Sequence, residues 1–413
     1  MRFVSQATLL TLLALYGATP NSGQVLTTLF RFTGKTGAYS EAPVIFGSTG
    51  ALYGTTIQGG AANKGAVFQL TPSGTRGKPW IETVLYSCGT QAGAPVTPNG
   101  VIFDTHGSLY GTSINGGTST FGAAFELTPP AGGSGPWTET PLHSFTGGSD
   151  GATPAGNLTF GLKAALYGVT TGGGAASLGT IFELTPPAGG SGPWTESVLY
   201  SFGSQSGDGA TPVAGLRVGS KGQLYGTTSA GGAANMGIVF ELAPPTVSGG
   251  AWTETVLYSF SGGADGGKPS ASLTIDSQGA LYGTTFSGGS ANLGTVFKLA
   301  PPTVSGGTWT ESVLYSFQGG NDGANPQANV VFNKSGALYG TTGAGGFDNL
   351  GTVFKLAPPA PGGSWTETVL NQFEFSDGSL PVAGLTLNAS GILFGTTENG
   401  GTPEKGTVFA LTP

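Results

Sequence analysis

Leu281-Tyr282-Gly283-Thr284-Thr285, followed by Ser287-Gly288-Gly289 and then by Gly294-Thr295-Val296-Phe297, is one of seven near-identical passages in this chain of 413 residues. The others begin at Leu52, Leu109, Leu166, Leu224, Leu338 and Leu393, so that successive copies stand 57, 57, 58, 57, 57 and 55 residues apart. A fixed period of this size marks one supersecondary unit copied along the chain, each copy burying its apolar surface against its neighbours. The chain therefore reads as a single array rather than two or three ordinary domains.

Around that passage each unit breaks into four short segments rich in β-branched and aromatic residues, separated by Gly and Pro turns. In the fifth unit the spacing predicts strand a over Ala271–Ile275, b over Ala280–Phe286, c over Gly294–Leu299 and d over Trp309–Phe317. The first segment of the array, Val25 to Phe32, aligns with the d strands and has no a, b or c before it, while the last, ending at Pro413, is a c strand with no d after it. These truncations are complementary, as a closed ring requires. The expected fold is all-β: a seven-bladed β-propeller of four-stranded blades, its ring closed by the N-terminal strand completing the C-terminal blade. A parallel β-helix is the alternative, but its coils are shorter than this unit and leave the truncations unexplained.

Phe68, Phe125, Phe182, Phe240, Phe297, Phe354 and Phe409 hold one slot of strand c and are expected between blades. Trp80, Trp137, Trp194, Trp252, Trp309 and Trp365 open strand d and should bury a large area while the indole N–H finds a partner. The Glu two residues after each Trp is expected in solvent. Pro141 within a d strand places that strand at the sheet edge, where a missing N–H costs nothing.

Charged residues make up only 8% of the sequence, so the surface is left to Thr, Ser, Asn, Gly and Pro, and ion-pair networks are excluded as a source of stability. The net charge is −7, with 14 scattered Lys and Arg, which excludes a nucleic-acid or anionic-membrane surface. Arg2 precedes an apolar run from Ala7 to Ala18, and the pattern predicts a signal peptide over residues 1–23, with the propeller over 24–413. That run is too short to span a bilayer and no other segment approaches the length needed, so the mature chain is expected to be secreted or extracytoplasmic, monomeric and without a transmembrane segment.

The L-Y-G-T-T, G-T-V-F-x-L and W-T-E-T-V-L-Y-S-F segments, matching at constant spacing over about residues 25 to 413, resemble the GloVer tandem repeat of bacterial exported proteins. The resemblance implies an exported, repeat-built protein. In that family a C-terminal sorting or anchoring domain often follows the repeats, whereas this sequence stops at Pro413.

In such a propeller the d-to-a and b-to-c connections share one face, and loops usually carry function. The d-to-a loops supply Asp150, Asp208, Asp265, Asp322 and Asp377 from five consecutive sectors. The two remaining sectors, at Lys35 and Gln91, lack the acid. An arc of carboxylates would attract cations and could bind calcium weakly, although Asp-Gly is equally a common turn pair. No other cofactor is expected. Asn63, Asn235, Asn292 and Asn349 of the b-to-c loops suit left-handed turns. Departures from the repeat on this face, Phe347, Asp348, Phe121, Phe286, Glu398 and Glu404, could instead serve a ligand, an aromatic stacking on a sugar ring.

Catalysis finds little support. His143 takes a slot held elsewhere by Tyr, His106 lies on the opposite face, and Cys88 takes a Phe slot, so no Ser-His-Asp or reactive-thiol arrangement can be assembled. The expected role is a binding or structural module for carbohydrate, a cell-envelope component or a protein. The alternative is a glycoside hydrolase or polysaccharide lyase using loop carboxylates, for which two carboxylates with raised pKa in one cleft would speak.

Overall fold

The computed structural model describes residues 24–413 except 76, 134, 190, 191, 248, 305, 361 and 362. The expected signal peptide lies outside the described residues. Among them are seven four-stranded antiparallel sheets, each ordered a-b-c-d, forming the seven-bladed propeller. Their b strands are Leu52–Thr56, Leu109–Gly116, Leu166–Gly172, Leu224–Thr228, Leu281–Thr285, Leu338–Thr342 and Leu393–Thr397, which number the blades 1 to 7. No described helix is long and apolar enough to cross a membrane.

Blade 5 shows how the sequence makes the unit. Its strands are Thr274–Ile275, Leu281–Thr285, Thr295–Ala300 and Thr310–Ser316. Strand a is shorter than expected because Ala271 to Leu273 run along the central axis, where they have no ladder partner and pack on the neighbouring blades. Blade 7 is composite: Thr386–Leu387, Leu393–Thr397 and Thr407–Thr412 are completed by Val25–Arg31, with Val25 opposite Thr412 and Arg31 opposite Thr407. The added strand carries a register shift between Thr28 and Phe30, and the shift recurs where each d strand meets Val67/Phe68, Ala124/Phe125 and their equivalents. It is therefore the same element as the other d strands. Pro141 lies opposite Phe125 on the outermost strand.

The five residues of the repeated passage each have a distinct part in packing. Leu281 is fully buried. Tyr53, Tyr110, Tyr167 and Tyr225 meet Trp137, Trp194, Trp252 and Trp309 of the neighbouring d strand-opening positions, with ring centroids 6.4, 6.0, 5.9 and 6.2 Å apart. The Gly lies beneath the Phe of strand c: a Cβ on Gly283 would sit 2.7 Å from Phe297 Cζ, and on Gly168 2.4 Å from Phe182 Cζ. The first Thr reaches across the blade junction, Thr284 Oγ1 donating to the Ala328 carbonyl at 3.0 Å and Thr227 Oγ1 to that of Ala271 at 3.1 Å. The second holds its own loop, Thr285 Oγ1 donating to the Ser287 carbonyl at 3.0 Å.

Between blades the strand c phenylalanines are fully buried and all but Phe125 meet a Phe from the preceding blade edge, as in Phe260–Phe297 at 5.1 Å and Phe317–Phe354 at 5.2 Å. Cys88 replaces that Phe beside Phe125; burial, with Glu139 second, pushes its thiol up to about 12. Each junction is also stapled by one backbone bond, in which the residue at the head of strand a donates to the b-to-c loop of the blade before it. Examples are Lys268 N to Met236 O at 2.7 Å and Thr153 N to Phe121 O at 2.8 Å. Blades 7 and 1 have the same staple, Tyr39 N to Lys405 O at 2.9 Å, the same cross-junction threonine, Thr396 to Ala42 at 3.2 Å, and one shared apolar cluster containing Leu29, Phe32, Val44, Phe68, Phe394 and Val408.

The conserved geometry corrects one expectation. The strand d glutamates are half-buried between blades, and burial followed by the charge of a neighbouring Asp pushes Glu196, Glu254, Glu311 and Glu367 each up to about 7. The partner acids are Asp150, Asp208, Asp265 and Asp322 in that order. The alternation W-T-E-T suggests an outward side chain, but the outer strand of each blade is covered by the d-to-a loop that leaves the blade before it.

Candidate functional site

The seven a strands converge on the axis, and the residues at their narrowest point are Pro43, Gly100, Asn157, Gly215, Ser272, Asn329 and Gly384. Asn157 and Asn329 close this neck: a Cβ on Gly100 would fall 2.1 Å from Asn157 Oδ1, and one on Gly384 would fall 2.2 Å from Asn329 Oδ1. Small residues are thus needed wherever an Asn leans in from a neighbouring blade. Above the neck, on the face shared by the d-to-a and b-to-c loops, opens a cavity of about 530 Å³. Below it, toward the a-to-b loops, opens one of about 770 Å³.

Two kinds of position build the upper mouth. One follows the repeated Thr-Thr and holds Ile57, Ile114, Ser229 and Phe286 in the cavity wall. The other heads strand a and holds Glu41, Val213, Ser270, Gln327 and Val382, with Asn99 and Lys268 beside them. The blades repeat, but these positions do not, so the mouth is asymmetric, with Glu41, Asn99, Lys268 and Gln327 set among the apolar Ile57, Ile114, Phe286 and Val382.

Glu398 occupies the post-Thr-Thr position of blade 7 and faces Glu41 of blade 1 across the closing junction. Burial, then the charge of Glu398, pushes the Glu41 carboxyl up. Burial also pushes Glu398 up, and a hydrogen bond from Asn399 Nδ2 to its Oε1 at 3.3 Å partly offsets this. At the same junction Lys405 Nζ donates to Tyr39 Oη at 2.6 Å and stands over that ring at 4.8 Å. The result is a pair of carboxylates that hold protons more tightly than ordinary Glu side chains.

The five loop aspartates lie away from this mouth and accept hydrogen bonds within their own loops. Asp150 accepts from Thr146 N at 2.8 Å and Thr146 Oγ1 at 2.5 Å and meets His143 Nε2 at 3.2 Å. Asp208 accepts from Tyr200 Oη at 2.8 Å and Gly203 N at 2.8 Å. Asp265 accepts from Tyr258 Oη at 3.1 Å and Ser261 N at 2.7 Å, and Asp322 from Tyr315 Oη at 2.7 Å and Gln318 N at 2.5 Å. Asp377 accepts from Glu374 N at 2.9 Å. These hydrogen bonds hold Asp150 and Asp265 below the usual carboxylate range despite partial burial, whereas burial pushes Asp377 up. Where the Asp is missing, Tyr86 bonds Glu139 directly and Thr36 donates to Glu82.

Phe347 is 84% exposed and Asp348 is exposed beside it, on the b-to-c loop of blade 6 and outside the cavity wall. Phe121 lies over Gly147, and Glu404 is exposed at φ 64°. The loop asparagines are turn residues: Asn292 Oδ1 accepts from Gly288 N at 2.9 Å, with its own φ at 58°. Of the departures from the repeat, then, Phe286 lines the mouth and Glu398 borders it, next to Glu41. Glu41, Asn99, Lys268 and Gln327 carry no motif in the sequence. They could have been found only by reading the repeat as columns and asking which columns vary. Among the described residues no group of three or more His, Cys, Asp or Glu side chains is placed to hold a metal ion.

A family model described as the Gloeobacter/Verrucomicrobia repeat matches residues 14–135, 81–254 and 219–413. No curated protein matches. Among solved structures, a protein described as a 6-phosphogluconolactonase from Bacteroides uniformis is 14% identical over 80% of this chain and 86% of its own, with a TM-score of 0.50. A protein described as an oxidoreductase (glucose dehydrogenase) from Thermus thermophilus is 17% identical over 84% of this chain and 100% of its own, with a TM-score of 0.45. A protein of unknown function from Dyadobacter fermentans is 10% identical over 94% and 99%, with a TM-score of 0.39. At these identities the likeness concerns the fold.

Proposed function

The chain belongs to the Gloeobacter/Verrucomicrobia repeat family, and from that premise we propose that it is an exported binding module whose ligand enters the upper mouth of the propeller. The observation that carries this reading is the divergence of the mouth within an otherwise repeated molecule. Glu41, Asn99, Lys268, Phe286 and Gln327 come from four different copies and differ in chemistry, yet they border one cavity of about 530 Å³. Cavities of this size suit small ligands or one or two rings of a polymer. A half-exposed aromatic among amide, carboxyl and ammonium groups suits carbohydrate: Phe286 offers an apolar face to a sugar ring, and Asn99 and Gln327 offer paired donors and acceptors to its hydroxyls. A cell-envelope glycan or glycoconjugate is the natural target for such a mouth on an exported protein.

A glycan and polysaccharide array tests the reading, with the mature protein and its Phe286→Ala and Asn99→Ala variants watched for retention and for product release. Retention by the wild type that weakens at least about tenfold in both variants, a loss of about 1.4 kcal/mol, is the expected result. Equal retention by all three proteins would remove the mouth from consideration, and no retention at all would leave a structural role.

The Glu41 and Glu398 pair favours a second reading, a carbohydrate-active enzyme. A carboxyl that keeps its proton can act as general acid while its neighbour acts as base or nucleophile. Release of shortened glycans that stops in Glu41→Gln and in Glu398→Gln, with retention intact, would establish that reading over simple binding.

A further inference from the structure

We propose that the lower cavity, opposite the mouth discussed above, is a separate binding site for a small oxyanionic ligand, one that carries a carboxylate or a phosphate. Its wall contains one charged side chain, Arg217, at the second position from the neck in strand a of blade 4. The equivalent positions in the other blades are Ile45, Ile102, Thr159, Thr274, Val331 and Thr386, all uncharged. Two of these hydroxyls bond into the next blade: Thr274 Oγ1 donates to the Val330 carbonyl at 2.5 Å, and Thr386 Oγ1 to that of Val44. In blade 4 the position holds instead a guanidinium that is exposed into the cavity.

Among the described residues no carboxylate lies within ion-pair distance of Arg217, since the only such contacts are His106–Asp104 and His143–Asp150. The acid on the neighbouring a-to-b loop, Asp276, is committed to its own turn, accepting from Gln278 N at 2.8 Å, Ala280 N at 2.9 Å and Tyr282 Oη at 3.1 Å. A guanidinium presents a planar fork of donors that fits a carboxylate or phosphate through two hydrogen bonds.

A second feature points the same way. The a-to-b turns of blades 3 and 4 carry Lys163 and Lys221, both exposed, whereas the corresponding turns of blades 2 and 5 carry Asp104 and Asp276. The two basic turns are neighbours, the Leu162 side chain lying 3.8 Å from where a Cβ on Gly222 would be. At these ends of blades 3 and 4 the two lysines and Arg217 outnumber the acids Glu183 and Glu241, which stand against Tyr167 and Tyr225, so that in a chain with a net charge of −7 a small local excess of positive charge remains on the face into which the cavity opens. Such a concave basic site attracts anions against the overall field. The space of about 770 Å³ accommodates an acidic monosaccharide or a phosphorylated small molecule, and the polar neck groups Asn157, Ser272 and Asn329 line its floor.

The test is thermal denaturation of the full-length mature protein with inorganic phosphate, with galacturonate, with neutral galactose, and with sodium chloride at matched ionic strength. Either oxyanion should raise the melting temperature above the chloride control, galactose should not, and which of the two acts more strongly tells whether phosphate or carboxylate is preferred. The increment should vanish in Arg217→Gln and shrink in Lys163→Gln and Lys221→Gln. Arg217→Gln changes an exposed side chain and is expected to fold, which its circular dichroism would verify. Phe286→Ala at the opposite mouth should respond as the wild type does, so failure of one site can be told from failure of the other. An increment retained by Arg217→Gln, or no oxyanion exceeding chloride, would overturn the proposal.

Discussion

The melting temperature is expected to be highest near about pH 4 to 5 and to fall as the pH is raised through 7. Glu196, Glu254, Glu311 and Glu367 sit between blades with carboxyls pushed up to about 7 by burial and by Asp150, Asp208, Asp265 and Asp322. Two carboxyl groups placed side by side are compatible only if one keeps a proton. The unfolded chain releases that proton at an ordinary Glu value of about 4.3, so the folded state binds more protons between there and 7. A raised folded pKa means stability that is fully present below the unfolded value and lost as the pH climbs through the folded one. The four glutamates act together. Because they are half-exposed and screened, each contributes well under the full 1.36 kcal/mol per pKa unit; about 3 kcal/mol in all, or about 4 °C for a protein of this size, is the scale to expect.

At lower pH the sign reverses. Asp150 and Asp265, held below the usual range by loop hydrogen bonds, contribute stability that is lost as the pH falls through their depressed values. Replacing all four glutamates with Gln supplies a permanent donor to each Asp and should flatten the decline between pH 5 and 8. Calorimetry across that range checks both statements, and a wild-type melting temperature that holds level or rises would show that the blades do not share these protons.

The largest loss from a single substitution is expected at the strand c phenylalanines. Phe297→Ala empties a site that is fully buried between Gly283 below and Phe260 of the neighbouring blade at 5.1 Å. Deletions of this kind cost about 3–5 kcal/mol. Gly283→Ala should cost about 1–3 kcal/mol by the opposite route, overpacking. Its φ is an ordinary one, so the penalty comes from close approach, foremost to Phe297 Cζ at 2.7 Å and then to Leu273 Cδ2 at 3.1 Å. The two effects are therefore coupled: Gly283→Ala with Phe297→Leu should lose less than the sum of the single changes, as chemical denaturation of all four proteins would reveal. Strict additivity would mean that the ring is not what keeps position 283 without a side chain.

The blade was legible because its repetition is a packing requirement. Seven copies of Leu-Tyr-Gly-Thr-Thr or a close variant fix the period, the strands and the number of blades, and the unmatched strands at the two ends of the array point to the composite blade. The neighbours of each residue were not legible, because they come from the next copy about 57 positions away in sequence. Nothing in W-T-E-T says that the Glu of one copy meets the Asp of the copy before. For the same reason Glu41 and Glu398 are adjacent in space while lying at opposite ends of the array. Arg217 looks like an ordinary strand residue until the axis gathers seven equivalent positions around it.

The pairing of Val25–Arg31 with Thr407–Thr412 has a further consequence. The junction it completes has the staple, the cross-junction threonine and the apolar cluster found at the others. The place where the polypeptide begins is therefore not encoded in the ring. Val25 and Thr412 are direct partners, so a short linker could join the ends and the chain could be opened instead at an outer turn such as the one bearing Val304, 67% exposed between strands c and d of blade 5. The split blade would move from the seventh position to the fifth, and the circular permutant would keep the same axis, the same neck and the same two cavities.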